Sequence, residues 1–356
     1  IAAEIDAEER YPEETVQKLM KYGLMGIQFP KEVGGSGGNY ICYSIAIEEM
    51  SRVCGTTGGI MSAHGTLGAW PIYAFGTPEQ KEKWLRPLIE PKEGAKIGAF
   101  GLTEPNAGTD SAAQQTIAVK EDGPYIMNGS KVFITGGGRA DTYVVFAMTD
   151  KTKGNKGISA FIVDKDDPGF SIGKIEHKMG IRGSQTAELI FEDVHLPADR
   201  LLGKENGGFK IAMMTLDGGR IGIASQALGI AQGALDKAIQ YMKERVQFGK
   251  TLDKFQGLQW MVADMATQID AARLLVRRAA FNHDVGLPFT KEAAMAKLYA
   301  SEVAMDVTTK CVQIYGGYGY IREYPMERMM RDAKITEIYE GTSQVQRMVI
   351  AGQVLR

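Results

Sequence analysis

Glu340, a carboxylate near the C-terminus, has the sequence context best suited to acid–base chemistry. It ends a β-branched and aromatic run, residues 335–339, and is followed at once by Gly341 and Thr342. The glycine permits a sharp turn or the close approach of a ligand, and the Thr342 hydroxyl can cap a following helix. Free backbone N–H groups of that helix start would lie beside the carboxylate, which makes Glu340 a candidate general base. The alternative is that Glu340 is only a capping or surface acid.

Four other stretches combine polar side chains with glycines and could hold a ligand. The loop 100–110 carries hydroxyls and amides that suit a planar polar ring. The strand end 133–135 brings an aromatic and a hydroxyl together before three glycines. Basic residues in 245–250 could hold phosphate, and glycines in 313–319 let a ligand lie on the backbone. Taken alone, each stretch is more simply an ordinary loop, strand end or helix cap.

The elements that must position these stretches fall into three consecutive groups. Apolar residues at helical spacing predict helices over 1–96 and again over 204–356, where Thr290 is expected to cap a long helix. Between them, β-branched and aromatic runs predict six short strands. The predicted strands are 116–120, 125–128, 131–135, 142–148, 158–163 and 187–191.

Two dipeptides, Asp122-Gly123 and Asn128-Gly129, predict hairpin turns between these strands. Short strands at this spacing indicate a compact antiparallel barrel or sandwich, and long helices with antiparallel connections indicate a four-helix bundle. We therefore predict a multidomain α+β fold. Its parts are an N-terminal helical domain (1–96), a middle β domain (97–203) and a C-terminal helical bundle (204–356).

Composition excludes several classes of function. The net charge of −2 over 356 residues gives no electrostatic footprint for nucleic acid, and no apolar stretch approaches the ~20 residues of a membrane span. The three cysteines and four histidines are scattered, so we expect no disulfide framework, no metal site and a reduced, cytoplasmic protein. The first residue is isoleucine, and we read the chain as lacking its native start.

Familiar nucleotide and hydrolase motifs are also missing or out of context. No G-x-G-x-x-G follows a strand and no P-loop occurs, which disfavours a Rossmann nicotinamide site and a nucleotide triphosphatase. The segment 34–38 matches the G-x-S-x-G nucleophile elbow around Ser36. Pro30 and two charges precede that serine where the elbow needs a buried strand, so we interpret the segment as a loop.

Taken in order, the five stretches resemble the acyl-CoA dehydrogenase family, and the resemblance covers essentially the whole chain. It is closest to the short-chain, butyryl-CoA enzymes of anaerobic bacteria. The family has an α, β, α domain order, which agrees with the fold predicted above. The matching motifs are Phe-Gly-Leu-Thr-Glu-Pro-Asn-Ala-Gly-Thr-Asp at 100–110, Phe-Ile-Thr at 133–135, Arg-Val-Gln-Phe-Gly at 245–249, Gln-Ile-Tyr-Gly-Gly-Tyr-Gly at 313–319 and Ile-Tyr-Glu-Gly-Thr at 338–342.

The resemblance implies a role for each matching residue. Glu340 would remove the α-proton of an acyl thioester while FAD takes the β-hydride at its N5 atom, and the Glu340 N–H would stabilise the thioester carbonyl. Residues implied for FAD binding are Phe100, Leu102, Thr103, Thr109, Phe133, Ile134, Thr135, Arg245, Phe248, Gln256, Gln313, Gly316, Gly317, Thr342 and Gln344. Residues implied for substrate binding are Thr109, Asp217, Arg220, Tyr339 and Gly341.

Two positions depart from patterns found within the family. Many relatives have tryptophan where this chain has Phe133. Isovaleryl-type relatives place the base just before the arginine equivalent to Arg220, where this chain has Gly219, which cannot act as a base. The glycine therefore leaves Glu340 as the base.

The resemblance further implies re-oxidation by an electron-transferring flavoprotein and FAD shared across a subunit interface. The second implication predicts a homo-oligomer, commonly a tetramer built as a dimer of dimers. Two other functions stay open. The same fold could work in reverse as a crotonyl-, acrylyl- or aryl-acrylyl-CoA reductase, or the chain could be a non-catalytic acyl-CoA-binding member.

Overall fold

The computed structural model describes residues 1–121 and 123–355, in which helices precede and follow a central sheet. Asp122, half of one predicted turn, lies outside the described residues. π-helical segments at Ala63–Ala69 and Lys81–Leu85 connect α4 to α5 and α6 to α7. The N-terminal helices are α1 (Ala2–Glu8), α2 (Glu13–Lys21), α3 (Tyr40–Val53), α4 (Gly55–Ser62), α5 (Trp70–Phe75), α6 (Pro78–Gln80) and α7 (Arg86–Ile89).

The middle of the chain forms one eight-stranded sheet. Its strands are β1 (Gly98–Gly101), β2 (Ile117–Lys120), β3 (Tyr125–Ile134), β4 (Thr142–Met148), β5 (Ile158–Asp164), β6 (Phe170–Ile175), β7 (Ala187–Leu196) and β8 (Leu201–Leu202). The strand order is β6-β7-β3-β2-β4-β5-β8, with β1 added against β4. Most pairs are antiparallel, as predicted, but β1 and β2 each run parallel to β4.

The hairpin turn predicted at Asn128-Gly129 is wrong, because both residues lie inside strand β3. This strand pairs with β7 on both sides of the dipeptide, with a register shift between Met127 and Gly129. Gly129 has a φ of 141°, and a Cβ atom there would collide with Thr116 of the neighbouring chain segment. The glycine therefore accommodates a β-bulge instead of reversing the chain.

The C-terminal region is built on three long helices, α8 (Gly208–Glu244), α9 (Gln256–Asp284) and α10 (Thr290–Tyr315). Two shorter helices, α11 (Met326–Lys334) and α12 (Ser343–Val354), complete it, and a ribbon of β9 (Val246–Gln247) and β10 (Lys250–Thr251) joins α8 to α9. Helix α8 is the buried centre of this bundle. Its glycines let α3 approach closely, since a Cβ atom on Gly229 or Gly233 would meet α3 backbone atoms.

The prediction that Thr290 caps α10 is wrong. Thr290 is the first residue inside the helix, and its hydroxyl donates a hydrogen bond to Asp217 Oδ2 of α8 at 2.7 Å. A tertiary partner has thus replaced the local one.

The secondary structure changes from helix to strand between Ile89 and Gly98, and back to helix between Leu202 and Gly208. The domain boundaries at 96 and 203 remain predictions. Within 1–121 and 123–355, every helix is too short or too polar to cross a lipid bilayer.

Candidate functional site

Glu340 lies in a tight turn between a 3-10 segment, Ile335–Glu337, and helix α12. Both Glu340 and Gly341 adopt left-handed backbone conformations, with φ of 51° and 91°. Such a conformation costs a non-glycine residue roughly 1–2 kcal/mol, so surrounding contacts must hold the turn. Thr342 supplies one of them. Its hydroxyl accepts a hydrogen bond from Val345 N at 3.3 Å, which confirms the predicted helix cap.

Side chains from the bundle fix the same turn. The Gln346 amide donates to the carbonyl oxygens of Glu340 (3.2 Å) and Gly341 (2.9 Å). Lys297 Nζ, from helix α10, donates to Gly341 O at 2.7 Å. The Tyr339 hydroxyl, just before the turn, donates to the side-chain oxygen of Gln226 on α8. The position of the Glu340 backbone is therefore set by three helices.

The Glu340 carboxylate points at the middle of helix α8. Its Oε2 atom is shielded from solvent and accepts no hydrogen bond from the described residues, although the residue as a whole is only part-buried. A Cβ atom at Gly219 would overlap this carboxylate and would lie 3.2 Å from Leu67 Cδ2. Gly219 thus provides the space that the acid occupies, and Leu67 provides an apolar wall beside it.

Burial raises the pKa of Glu340 to about 7, while the positive charges of Lys297 and Arg220 oppose that rise. A carboxylate that titrates near neutrality can take up a proton at physiological pH. The backbone N–H of Glu340 donates no hydrogen bond within the described residues, so it is free to bind an oxygen atom of a ligand. A proton acceptor and a hydrogen-bond donor therefore stand on the same residue.

Arg220 and Asp217 lie one helical turn apart on α8 and form a buried ion pair. Thr290 donates to the second oxygen of Asp217, whose pKa is raised by burial. Arg220 is 5% exposed, and its Nε atom has no partner among the described residues. Two of the predicted substrate residues are therefore brought beside the predicted base, and one of them has an unused donor.

A second group of predicted residues lies where β1 leads into its loop. Phe100 and Leu102 are buried in the same hydrophobic cluster as Leu67, which connects them to the Glu340 site. The Thr103 carbonyl accepts a hydrogen bond from Val132 N at 2.9 Å, so this loop is tied to the end of β3.

Phe133, at that end of β3, has a φ of 57° and is 65% exposed, which leaves its ring accessible to a ligand. Ile134 instead buries its side chain in the core. Thr135 is part-buried and Thr109 is exposed.

A buried ion pair lies beneath this loop. Lys131 Nζ donates to Leu102 O (3.2 Å), Glu104 Oε1 (2.7 Å) and Gln114 Oε1 (3.1 Å). Glu104 also accepts backbone N–H bonds from residues 115 and 116. The pair fixes the loop from the core side.

A third group lines a cavity of about 550 Å³ at the other end of helix α8. Arg245, Gly316 and Gly317 contribute to it, together with tyrosines 241, 315 and 318. Arg220 and Arg245 are 25 residues apart on or just after α8, which corresponds to about 38 Å at the rise of an α-helix. The remaining predicted residues of this group, Phe248, Gln256 and Gln313, are exposed and do not line the cavity.

The sequence did not identify Lys297, Leu67 or Gln346 as site residues. Lys297 had a usable signal, since it is a lone charge on a helix face otherwise formed by alanines 293, 300 and 304. Leu67 had no such signal, because an apolar residue in a helical region ordinarily belongs to the hydrophobic core.

Comparison with known proteins agrees with this geometry. Models of the N-terminal, middle and C-terminal domains of acyl-CoA dehydrogenase match residues 1–92, 99–194 and 206–355. The chain is 64% identical over 356 residues to a short-chain specific acyl-CoA dehydrogenase of Clostridium acetobutylicum, covering all of this chain and 93% of that protein. It is 54% identical over 358 residues to an acryloyl-CoA reductase (NADH) of Anaerotignum propionicum, covering all of this chain and 90% of the relative.

Solved structures give the same result. Butyryl-CoA dehydrogenase from Megasphaera elsdenii superimposes with a TM-score of 0.97 at 56% identity, covering 99% of this chain and 93% of that one. A chain from a structure described as an electron transferring flavoprotein of Acidaminococcus fermentans superimposes with a TM-score of 0.98 at 58% identity, covering 99% and 92%. The three domain matches and these identities over the full chain establish that the protein belongs to the acyl-CoA dehydrogenase family, a family of flavoproteins.

Proposed function

We propose that the protein is an FAD-dependent, short-chain acyl-CoA dehydrogenase that converts butyryl-CoA to crotonyl-CoA with Glu340 as its base. The observation that carries this proposal is the Glu340 carboxylate itself. Its Oε2 atom is shielded from solvent, has no hydrogen-bond partner among the described residues, and lies in the space left by Gly219. A structural acid in that position would be expected to have hydrogen-bond partners.

The chemistry assigned to this chain is removal of a weakly acidic proton next to a thioester carbonyl. Glu340 takes the α-proton, and its raised pKa suits that task near neutral pH. The free Glu340 N–H stabilises the charge that develops on the carbonyl oxygen. Leu67 and the apolar wall around it exclude water from the proton transfer. FAD, when bound, supplies the acceptor for the β-hydride.

The residues present fit FAD. Phe100, Leu102, Thr103, Phe133, Ile134 and Thr135 would hold the flavin ring at the junction between sheet and bundle, with Thr109 at its edge. Thr342 and Gln344 would contact its adenine half. Phe133, exposed and locally strained, supplies an aromatic face of the kind that a planar ring can contact.

Arg245 lies about 38 Å along α8 from Arg220, and Gly316 and Gly317 line the same cavity as Arg245, so these three residues stand apart from the group around Glu340. With Phe248, Gln256 and Gln313, they would hold the FAD of a second copy. This supports a homo-oligomer, for which we propose a dimer of dimers. The likeness to a chain in the electron transferring flavoprotein structure supports such a flavoprotein as the electron acceptor.

Replacing Glu340 with glutamine tests the base. The variant keeps the shape of the side chain and loses the proton acceptor, so we expect it to retain FAD and to lose turnover by at least ~10²–10⁴-fold. Flavin absorbance reports cofactor content, and bleaching of that absorbance by butyryl-CoA under anaerobic conditions reports turnover.

The matched control is Glu302→Gln, a glutamate at the surface of α10. Glu302 forms a surface ion pair with Arg347, so its loss is expected to leave the rate unchanged. Near-normal turnover of the Glu340→Gln protein with FAD bound would show that the proposed mechanism is wrong.

A second function, reduction of an enoyl-CoA such as acryloyl- or crotonyl-CoA, is favoured by the 54% identity to the acryloyl-CoA reductase. Both directions use the same proton at Glu340. Initial rates for a panel of acyl-CoA and enoyl-CoA substrates, measured in both directions with an electron-transferring flavoprotein, decide between them.

A further inference from the structure

Lys297 is a buried lysine that the chemistry assigned above does not use. It lies in the N-terminal half of α10, is 0% exposed, and is surrounded along its helix face by alanines. Its ammonium group donates one hydrogen bond within the described residues, to the Gly341 carbonyl at 2.7 Å. Burying an ammonium group is costly unless it is paired, so a lysine in this place needs a reason.

We infer that Lys297 is a positioning residue for the base: it fixes the Glu340–Gly341 turn and holds a positive charge beside the Glu340 carboxylate. This inference rests on the proposed function, because it assigns a task to Lys297 only if Glu340 is the base. The charge makes ionised Glu340 less costly in a buried site, and the hydrogen bond keeps a left-handed glutamate in place.

The turn needs such support. Glu340 and Gly341 are consecutive left-handed residues, and their carbonyl groups receive hydrogen bonds only from Gln346 and Lys297 among the described residues. Gln346 belongs to the helix that follows the turn, so it moves with it. Lys297 belongs to α10 and is therefore the contact that anchors the turn to the rigid body of the bundle.

Several charged or titratable groups face this site. The Asp217–Arg220 pair lies on α8, Lys297 on α10, Tyr43 on α3 and Asp332 on α11, while Tyr339 and Glu337 belong to the segment of Glu340 itself. The Arg220 charge is partly neutralised by Asp217. Lys297 forms no ion pair with a carboxylate among residues 1–121 and 123–355, and Glu340 is the acid whose charge acts on it most strongly.

Burial lowers the pKa of Lys297 to about 8, and the negative charge of Glu340 opposes this fall. Both groups are thus close to their titration points near neutral pH, and each favours the charged form of the other. Without the Lys297 charge, only Arg220 would oppose the effect of burial, and the pKa of Glu340 would rise further. The base would then be protonated at the pH at which it must accept a proton.

The test compares Lys297→Met, which removes the charge and the donor, with Lys297→Gln, which removes the charge and keeps an N–H donor. Lys310→Met is the matched control, because Lys310 lies on the same helix but pairs with Asp306 at the surface. Anaerobic flavin reduction by butyryl-CoA is followed from pH 5.5 to 9, with flavin absorbance and thermal melting recorded for every variant to establish that it is folded.

We expect the acid limb of the rate–pH profile to move up by about one pH unit in both Lys297 variants, a tenfold loss of rate below the limb. The plateau rate at high pH should fall in Lys297→Met more than in Lys297→Gln, since only the amide can still bond to Gly341 O. The Lys310→Met profile should coincide with the original. A Lys297 role limited to packing would lower the melting temperature and leave the acid limb where it was, and that result would overturn the inference.

A second readout separates this inference from the proposed function. Infrared difference spectra of the unmutated protein against Glu340→Gln give the protonation of the Glu340 carboxyl without any substrate. An upward movement of that titration in Lys297→Met supports the pairing even if no acyl-CoA reduces the flavin. If butyryl-CoA bleaches the flavin but the carboxyl titration is the same with and without Lys297, the inference fails while the proposed function stands.

Discussion

Two lysines of this protein are completely buried, and they differ in what surrounds them. Lys131, in the β unit, uses all three of its N–H bonds on acceptors between 2.7 and 3.2 Å away. Lys297, in the bundle, has one acceptor among the described residues. Burial lowers the pKa of each to about 8, so burial by itself does not distinguish them.

The carboxylates beside the two lysines differ in the same way. Glu104 bonds to Lys131 and to two backbone N–H groups, and these partners outweigh burial to leave its pKa below its usual value. The Oε2 atom of Glu340 has no hydrogen-bond partner in the part of the chain that the structure describes, and the pKa of Glu340 is raised by burial to about 7. A fully hydrogen-bonded pair stabilises structure, whereas an incompletely bonded one keeps a group available for chemistry.

The largest effect that follows from this contrast is on stability. Lys131→Met leaves Glu104 charged and buried without its partner, and we expect it to lower the free energy of unfolding by about 3–5 kcal/mol. The loop at 102–104 should loosen, so FAD should also be lost more readily. Urea unfolding followed by circular dichroism measures the first change, and flavin released on gel filtration measures the second.

The double variant Lys131→Met, Glu104→Leu is the internal control, because it removes both charges at once. It should be more stable than Lys131→Met alone, since no buried charge is left unpaired. If Lys297→Met proves as destabilising as Lys131→Met, the distinction between the structural pair and the functional one is lost.

The sequence alone predicted those helices and strands whose residue pattern does not depend on contacts with other elements. Helix α9, at Gln256–Asp284, is one of the helices expected within 204–356, because its apolar residues recur at helical spacing. Strand β1 was missed: two of its four residues are glycines and none is β-branched, so only its parallel pairing with β4 defines it. The dipeptide Asn128-Gly129 favours a turn locally, and pairing of β3 with β7 overrides that preference.

The candidate site shows the same difference between features set by local sequence and features set by packing. The Gly341-Thr342 sequence pointed to a turn and helix cap after Glu340, and the structure has both. The space at Gly219 and the anchor from Lys297, 44 residues before Gly341, arise only when α8 and α10 pack against the turn. Contacts between residues so far apart in the chain produce no hydrophobic periodicity in the sequence. The one sign of this contact in the sequence is a single lysine among alanines.

Gly219→Ala tests whether the Glu340 site needs the open space at position 219. The Lys131 site differs, because it depends on complete hydrogen bonding. The added Cβ would overlap the carboxylate, so the acid must move. We expect a stability loss of about 1–3 kcal/mol from overpacking and a fall in turnover of roughly 100-fold from the misplaced base, with FAD retained.

Gly352→Ala is the matched control for that change. It lies in helix α12, and no described atom is within 4 Å of the position that its Cβ would take. We expect it to be neutral or to stabilise the helix by up to about 1 kcal/mol. Equal activity of the two glycine variants would mean that Glu340 does not need the space at 219.

The smallest expected effect is on the pH dependence of stability. Glu340→Gln and Glu104→Gln should change that dependence in opposite directions. The pKa of Glu340 in the fold is raised, so between about pH 4.5 and 7 the folded protein keeps a proton that the unfolded chain has lost, and stability falls as pH rises. Glu340→Gln removes this penalty and should gain on the unmutated protein by about 1–2 kcal/mol from pH 5 to pH 6.5. The pKa of Glu104 is lowered, so its contribution is fully present above the unfolded-state pKa and disappears as pH falls through the folded-state pKa. Glu104→Gln should therefore lose stability relative to the unmutated protein as pH rises. Melting temperatures of both variants and of the unmutated protein at pH 4, 5, 6.5 and 8 measure the two slopes. Slopes of the same sign would contradict the assignment of one carboxylate to structure and the other to catalysis.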